Sequence, residues 1–177
     1  MADTPTPIDE DAVDAALDRL IAAVEAGDAP GYAARMVDDA VFHSASTDAF
    51  EYRSRADIEE MATATFAQFR DVRCIARTGT GDTRLAVFAF SVGDVRGQDA
   101  QLLRFAPDGR IREVSAFVRP LAALAQIPAR VAPSIARRSG RRGLARMLAL
   151  SSRPIAAMLR SGDASMSPRL DPARQRS

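Results

Sequence analysis

Apolar residues recur every three or four positions along the first part of the chain, which is the spacing of one face of an α-helix. The clearest series contains Val13, Leu17, Leu20 and Val24 and ends near Gly27. Glycine often follows the last turn of a helix, because it adopts the left-handed backbone conformation without strain. The series therefore predicts a first amphipathic helix with one buried face.

Side chains that can cap a helix stand before three such series. We expect Thr6, Asp28 and Ser54 to cap the first, second and third helices, because a side-chain oxygen there accepts a hydrogen bond from a free amide. The second helix is short and is predicted to continue through Met36 and Val37. The buried side of the third helix is assigned to Ile58, Met61, Thr65, Phe66 and Phe69.

Beyond residue 70 the pattern changes to alternation of apolar and polar residues, which is typical of β-strands. A short strand is also expected at 40–46. The later strands are assigned to residues 71–78, 83–93, 98–106 and 110–118. Short turn-forming links between consecutive strands favour an antiparallel meander. The predicted class is therefore α+β: a cone-shaped, curved antiparallel sheet with three N-terminal helices packed on its concave face.

The net charge of +1 conceals two halves of opposite charge. Residues 1–127 hold 13 Arg against 21 acidic residues, a balance of −8, whereas residues 128–177 hold 11 Arg against 2 Asp, a balance of +9. The second segment also contains five prolines and no strand pattern. We therefore expect an acidic cone domain at 1–127 and a basic C-terminal extension at 128–177, partly helical or disordered.

Three interpretations of the basic extension stay open. It could be a flexible segment, it could fold back on the acidic domain, or it could lie on an anionic membrane or partner surface, since its arginines alternate with apolar residues at near-helical spacing. Aromatic residues for stacking on bases are absent from it, which argues against nucleic acid. Short helical pieces are expected around 143–150 and 154–161.

Composition limits the chemistry that the chain can carry. Cys74 and His43 are the single cysteine and the single histidine, so no zinc site built from these residue types can be assembled, and neither a metal nor a cofactor is expected. The acidic start lacks the basic and apolar segments of a secretory signal, so a cytoplasmic location is the expectation.

A polar pair heads one of the predicted strands. Because side chains alternate along a strand, Asp99 and Gln101 share a face with Leu103 and Phe105. This face is predicted to line the apolar space between sheet and helices, and such a concave space is the usual form of a small-molecule site. The alternative for Asp99 is an exposed position at the strand end.

The order of elements resembles the nuclear transport factor 2-like superfamily, particularly its SnoaL-like branch. The segments that carry the resemblance are LDRLIAAVEAGD, YAARMVDDAVFHS, LLRFAPDGRI and FVRPL, which together span roughly residues 10–125. The resemblance implies a cone that encloses a hydrophobic pocket, commonly in a homodimer. It leaves activity open, because the superfamily contains isomerases, cyclases, a dehydratase and an epoxide hydrolase besides non-catalytic binding modules.

The ketosteroid isomerases of this superfamily provide a residue-by-residue test. Their oxyanion-stabilising tyrosine falls on Leu20, their carboxylate base on Ser44 and their protonated aspartic acid on Gln101. Leucine has no hydrogen-bond donor and an unactivated serine is no base, so ketosteroid isomerase chemistry by that machinery is rejected.

Two functions follow as hypotheses. In the first, Asp99 is the acid or base of a cofactor-independent cyclase, isomerase or hydrolase reaction. The substrate is a small hydrophobic or polyketide-like molecule, and Gln101 and Ser44 orient one of its oxygens. In the second, the same residues only satisfy one another inside a binding or protein-interaction module. His43 is expected to face away from the pocket. The remaining residues assigned to ligand contact are Leu20, Tyr32, Tyr52, Leu103 and Val118.

Overall fold

The structure, a computed structural model, describes residues 9–138 and 140–165, the side chains of 163–165 excepted. Five helices and six strands occupy these residues. The helices are α1 (Glu10–Ala26), α2 (Ala29–Ala33), α3 (Arg55–Phe66), α4 (Leu121–Arg138) and α5 (Arg142–Ser165). The strands are β1 (Met36–His43), β2 (Tyr52–Arg53), β3 (Phe69–Thr80), β4 (Thr83–Val92), β5 (Val95–Phe105) and β6 (Ile111–Arg119).

The strands form one sheet in the order β2-β1-β6-β5-β4-β3. Strands β3 to β6 are a continuous antiparallel meander, as their short links predict. The wholly antiparallel sheet that we expected is wrong, because β1 pairs with β6 in parallel. The helix α3 and four strands lie between β1 and β6 in sequence, so the connection is long enough for a parallel pair. The fold is α+β with a mixed sheet.

Element boundaries differ from the expectation at both junctions between helix and strand. Met36 and Val37 belong to β1, where Met36 pairs with Ile111 of β6, so strand pairing prevails over continuation of the short helix. Phe69 begins β3 and pairs with Val92. In both places an apolar residue that fits a helical series finds its burial in the sheet instead.

The helix caps are largely those that the sequence indicates. The side chains of Asp28 and Ser54 accept hydrogen bonds from the amides of Gly31 and Asp57, at 2.9 and 3.1 Å. The first helix begins later than expected, with Asp9 as its N-cap. The predicted cap Thr6 lies outside the described residues.

One face of the sheet packs against α1, α2 and α3 and forms the main core. The residues of this core alternate along the strands with residues of the outer face, as the sequence pattern predicts. Its most deeply buried large side chains are Val13, Leu20, Tyr32, Met36, Ile58, Phe88, Leu103, Phe105, Ile111 and Val114. A smaller cluster continues the core beneath α4; it consists of Phe90, Val92, Val95, Ala122 and Ala123.

The boundary expected at residue 127 falls inside α4, which runs from Leu121 to Arg138 through two prolines. The two short helical pieces expected in the extension are parts of the single helix α5, which contains Pro154. The α5 helix packs along α4, and its Arg160 forms an ion pair with Asp94 at 2.8 Å. None of the helices in the described part of the chain combines the length and apolar character needed to cross a membrane.

The contact between α4 and the sheet depends on a missing side chain at Gly97. A Cβ built there would lie 2.6 Å from Cζ of Phe90 and 2.9 Å from Cβ of Ala123. We expect Gly97→Ala to lower the free energy of unfolding by about 1–3 kcal/mol, because overpacking forces the ring or α4 to shift. Urea unfolding measures this loss. The control Gly143→Ala has open space around its Cβ and should not destabilise; equal stability of both variants would contradict the tight contact.

Candidate functional site

A cavity of about 250 Å³ opens between the core face of the sheet, α3 and α4. For comparison, an apolar cavity of roughly 150 Å³ holds benzene. The space is therefore sufficient for a molecule larger than a single ring. Its wall is mainly aromatic and aliphatic, with Phe42, Phe50, Met61, Phe66, Phe69, Phe88, Phe90, Ala116, Val118, Ile127, Val131 and Ile135 among the lining residues.

Asp99 is the one charged residue that lines the cavity in the described part of the chain. It lies in the middle of the sheet on β5, paired with Phe88 of β4 and Val118 of β6, and its side chain is 8% exposed. The exposed strand-end position considered for it is therefore wrong. Its carboxylate faces the apolar space between the sheet and the helices.

A chain of hydrogen bonds holds one side of this carboxylate. The amide Nε2 of Gln101 donates to Oδ2 of Asp99 at 2.8 Å, and the hydroxyl of Tyr32 donates to Oε1 of Gln101 at 3.4 Å. Gln101 thus contacts both neighbours through opposite ends of one amide. Oδ1 of Asp99 is buried and makes no hydrogen bond to any described residue. A buried oxygen without a partner is unusual in native proteins, and Asp99 is part of the cavity wall.

Burial determines how these groups titrate. It raises the pKa of Asp99 from its ordinary value of 3.8 to about 6, against the lowering influence of Gln101 and the backbone of Phe117. Burial, and then the negative charge of Asp99, raise the pKa of Tyr32 above its ordinary value, so the phenol stays protonated. A carboxyl group with a pKa near 6 is present in both protonation states close to neutral pH, which suits an acid or a base.

Small polar side chains and one tyrosine surround the cavity where β1 ends. Ser44 follows the last residue of β1, and its Oγ lies 3.0 Å from Oγ of Ser46. Tyr52 packs edge-to-face against Phe42 and Phe50, with ring centroids 6.2 and 5.4 Å apart. Burial, and then Glu60, raise the pKa of Tyr52. These groups offer further hydroxyls to a ligand that enters from this side.

The structure brings most of the predicted ligand contacts together. Tyr32, Ser44, Tyr52, Asp99, Gln101 and Val118 all line the cavity. Leu20 and Leu103 do not: both are fully buried in the main core, where the helix and strand pack directly on each other. His43 faces the opposite side of the sheet, as strand alternation predicts, with its ring nitrogens 3.2 Å from Glu51 and 3.4 Å from Glu113.

The α4 helix contributes a wall of the cavity that was not predicted from the sequence. Ile127, Pro128, Val131, Ala132 and Ile135 line the cavity, although four of them lie in the segment that we assigned to the basic extension. Their spacing of three and four residues was a usable helical signal. The prolines and the charge boundary obscured it.

No protein-family model and no curated protein sequence matches this chain. Solved structures do: a steroid delta-isomerase from Pseudomonas aeruginosa is similar, with 21% identity and a TM-score of 0.64 over 76% of this chain and 95% of that one. A nuclear transport factor 2-like protein of unknown function from Cytophaga hutchinsonii has 11% identity and a TM-score of 0.51, over 66% and 96% of the two chains. A proposed SnoaL-like polyketide cyclase from Shewanella denitrificans has 14% identity and a TM-score of 0.51, over 60% and 90%.

At these identities the similarity concerns the fold and not the chemistry. One fold is commonly shared by proteins with different activities. The resemblance found in the sequence is confirmed at this level: the chain has the nuclear transport factor 2-like fold.

Proposed function

We propose that this protein is a SnoaL-like binding domain in which Asp99 exchanges a proton with a small, uncharged, mainly apolar molecule. The observation that carries the proposal is the buried carboxylate of Asp99 in the cavity wall, with one oxygen held by Gln101 and the other without a hydrogen-bond partner. Burying an unsatisfied carboxylate oxygen opposes folding, so its presence calls for a role in ligand contact.

The wall of the cavity defines the class of ligand. Among the described residues it contains no arginine, so nothing there would neutralise a phosphate or a carboxylate. The aromatic and aliphatic side chains favour flat or branched carbon skeletons, and polyketide-like molecules have this character. The partner of Asp99 Oδ1 would be a hydroxyl, or an acidic C–H beside a carbonyl.

The roles of the residues follow from their contacts. The proton moves from the ligand to Oδ1 of Asp99 and returns to another position of the ligand, so no cofactor is consumed. Gln101 holds Oδ2, and the hydroxyl of Tyr32 orients the Gln101 amide. This differs from the ketosteroid isomerases, because Leu20 carries no hydroxyl, Ser44 no carboxylate, and Gln101 donates to Asp99 rather than to a substrate oxygen.

The second candidate is a non-catalytic ligand-binding or protein-interaction module. The fact that favours it is that both ends of the Gln101 amide are already engaged, by Asp99 and by Tyr32. A second copy of the chain stays a further expectation. The exposed Phe117 on the outer face of the sheet would suit such a contact.

The two candidates are separated by isotope exchange. Native mass spectrometry of protein purified from its own host identifies the bound molecule, which is then incubated with the protein in D₂O. We expect deuterium to replace hydrogen on a carbon of the ligand, and Asp99→Asn to slow this replacement by about 10²-fold or more, the usual contribution of a positioned acid or base. Asp39→Asn replaces an exposed carboxylate outside the cavity; it is the matched control and should retain the exchange.

The binding-module candidate gives a different result in the same experiment. The bound molecule would then be recovered without deuterium on carbon from the unaltered protein. Exchange that proceeds equally fast in Asp99→Asn would exclude Asp99 as the acid or base, whichever molecule is bound.

A further inference from the structure

The outer face of α5 exposes large apolar side chains to solvent. Five of them stand on a 24-residue helix. Their exposed fractions are 37% for Leu144, 59% for Met147, 77% for Leu150, 55% for Ile155 and 67% for Met158. Single exposed apolar residues are ordinary, but a contiguous group on one element indicates a surface that is covered in use.

These five side chains form a band on the side of α5 that faces away from α4. Ala145 and Ala156 are buried against the protein and define the inner side. With 3.6 residues per turn, the five exposed positions fall within an arc of about 140° centred opposite these alanines. The band therefore does not compete with the packing of α5 on α4.

Arginines border this band on one side. Arg142, Arg146 and Arg153 are exposed and lie on the flank between the band and the inner face, while Arg160 on the same flank pairs with Asp94. The segment from residue 128 to residue 162 contains eight arginines and no acidic residue. The partner of this surface is thus both apolar and negatively charged.

We propose that α5 lies in the plane of an anionic lipid bilayer, with the apolar band inserted at the level of the headgroups and the arginines beside the lipid phosphates. An interfacial helix typically combines an apolar arc with basic residues on its polar face. A second copy of the chain fits less well, because pairing two α5 helices would bring rows of arginine together without acidic partners. Nucleic acid would leave the apolar band exposed to water.

The position of α5 relates this surface to the cavity. Ile127, Val131 and Ile135 of α4 line the cavity, and α5 packs on the other side of α4. The α4 helix therefore separates the cavity from the bilayer. The lipid surface is a property of α5 and does not depend on the chemistry proposed for Asp99.

Vesicle flotation of the full chain tests the proposal. We expect it to bind vesicles with about 40% phosphatidylglycerol and not vesicles of phosphatidylcholine alone, with binding that weakens as salt rises. Replacing three residues of the band, Met147→Ser/Leu150→Ser/Met158→Ser, should lower the partition coefficient about tenfold or more. Arg146→Gln/Arg153→Gln should also lower it about tenfold.

A control variant removes exposed apolar side chains elsewhere. Ile75 and Leu121 are 48% and 61% exposed and lie outside α5, so Ile75→Ser/Leu121→Ser should float as the unaltered protein does. Equal flotation of all variants, or equal binding to neutral vesicles, would overturn the proposal. So would binding that survives loss of the band, since the arginines alone would then recognise any polyanion. Self-association that the triple variant abolishes, without flotation, would assign the band to a second copy instead.

Discussion

Asparagine in place of Asp99 is expected to make the protein more stable at neutral pH. Burial raises the pKa of this carboxyl to about 6 in the folded protein, above its ordinary value of 3.8. The folded state therefore binds more protons than the unfolded state between these two values, and stability falls as pH rises through them. Well above pH 6 the ionised carboxylate lowers the free energy of unfolding by about 2–3 kcal/mol, which asparagine removes.

The dependence on pH distinguishes this effect from an ordinary change in packing. Urea unfolding near pH 7.5 should show Asp99→Asn to be more stable by about 2 kcal/mol, and near pH 4 the difference should shrink toward zero as Asp99 becomes protonated. The exposed Asp39→Asn provides the control and should change stability by less than about 0.5 kcal/mol at either pH. A destabilised Asp99→Asn at neutral pH would show that the carboxylate is well stabilised in place, contrary to the geometry of Oδ1.

A gain in stability from removing one residue has a functional meaning. A residue that is selected only for folding does not destabilise the folded state, whereas catalytic and binding groups frequently do. The buried Asp99 therefore resembles a group kept for contact with a ligand. The second candidate function, a binding module, is compatible with the same gain, and the isotope exchange decides between them.

The sequence predicted the sheet side of the site better than the helix side. Alternation along β5 placed Asp99 and Gln101 on the inner face, and alternation along β1 directed His43 outward. Strand faces can be read in this way because the period of two is unaffected by what the strand packs against. The parallel pairing of β1 with β6 could not be read from the sequence, since it depends on contacts between residues far apart in the chain.

Roles were harder to assign to helical residues, because a buried helical side chain can pack on the sheet or line a cavity and the local pattern is the same in both cases. Leu20 was placed at a ligand position by resemblance, but α1 packs directly on the sheet there and leaves no space beside this side chain. Met36 was likewise predicted in a helix, but it lies in β1 because it pairs with Ile111. In both cases tertiary packing prevails over the local pattern.

The α4 helix was divided at residue 127 because composition changes there, from an acidic segment to a basic one with several prolines. Proline lowers the propensity for helix but does not exclude it where tertiary contacts compensate for the lost hydrogen bond. Pro128 lines the cavity and Pro133 is buried, so each contributes apolar contact in exchange. The change of charge at residue 127 therefore concerns the exposed residues of this segment, whereas the core continues into α4 beyond that residue.

A chain that ends at residue 127 is expected to lose both the cavity and much of its stability. It would lack Val131 and Ile135, which form part of the cavity wall. Losing the burial of two to three apolar side chains corresponds to about 3–6 kcal/mol of unfolding free energy. Urea unfolding measures this loss, and increased fluorescence of a hydrophobic dye should report the uncovered surface.

The matched comparison is a chain that ends at residue 141, which keeps the whole of α4 and removes α5. The side of α4 beside α5 carries polar and small residues, with Gln126, Ala129, Arg130 and Pro133 among them, so this chain should stay folded and retain the molecule that co-purifies with the full protein. The chain ending at 127 should not retain that molecule. If both chains bound it equally, α4 would be dispensable, and the ligand would have to be held by the sheet and the first three helices alone.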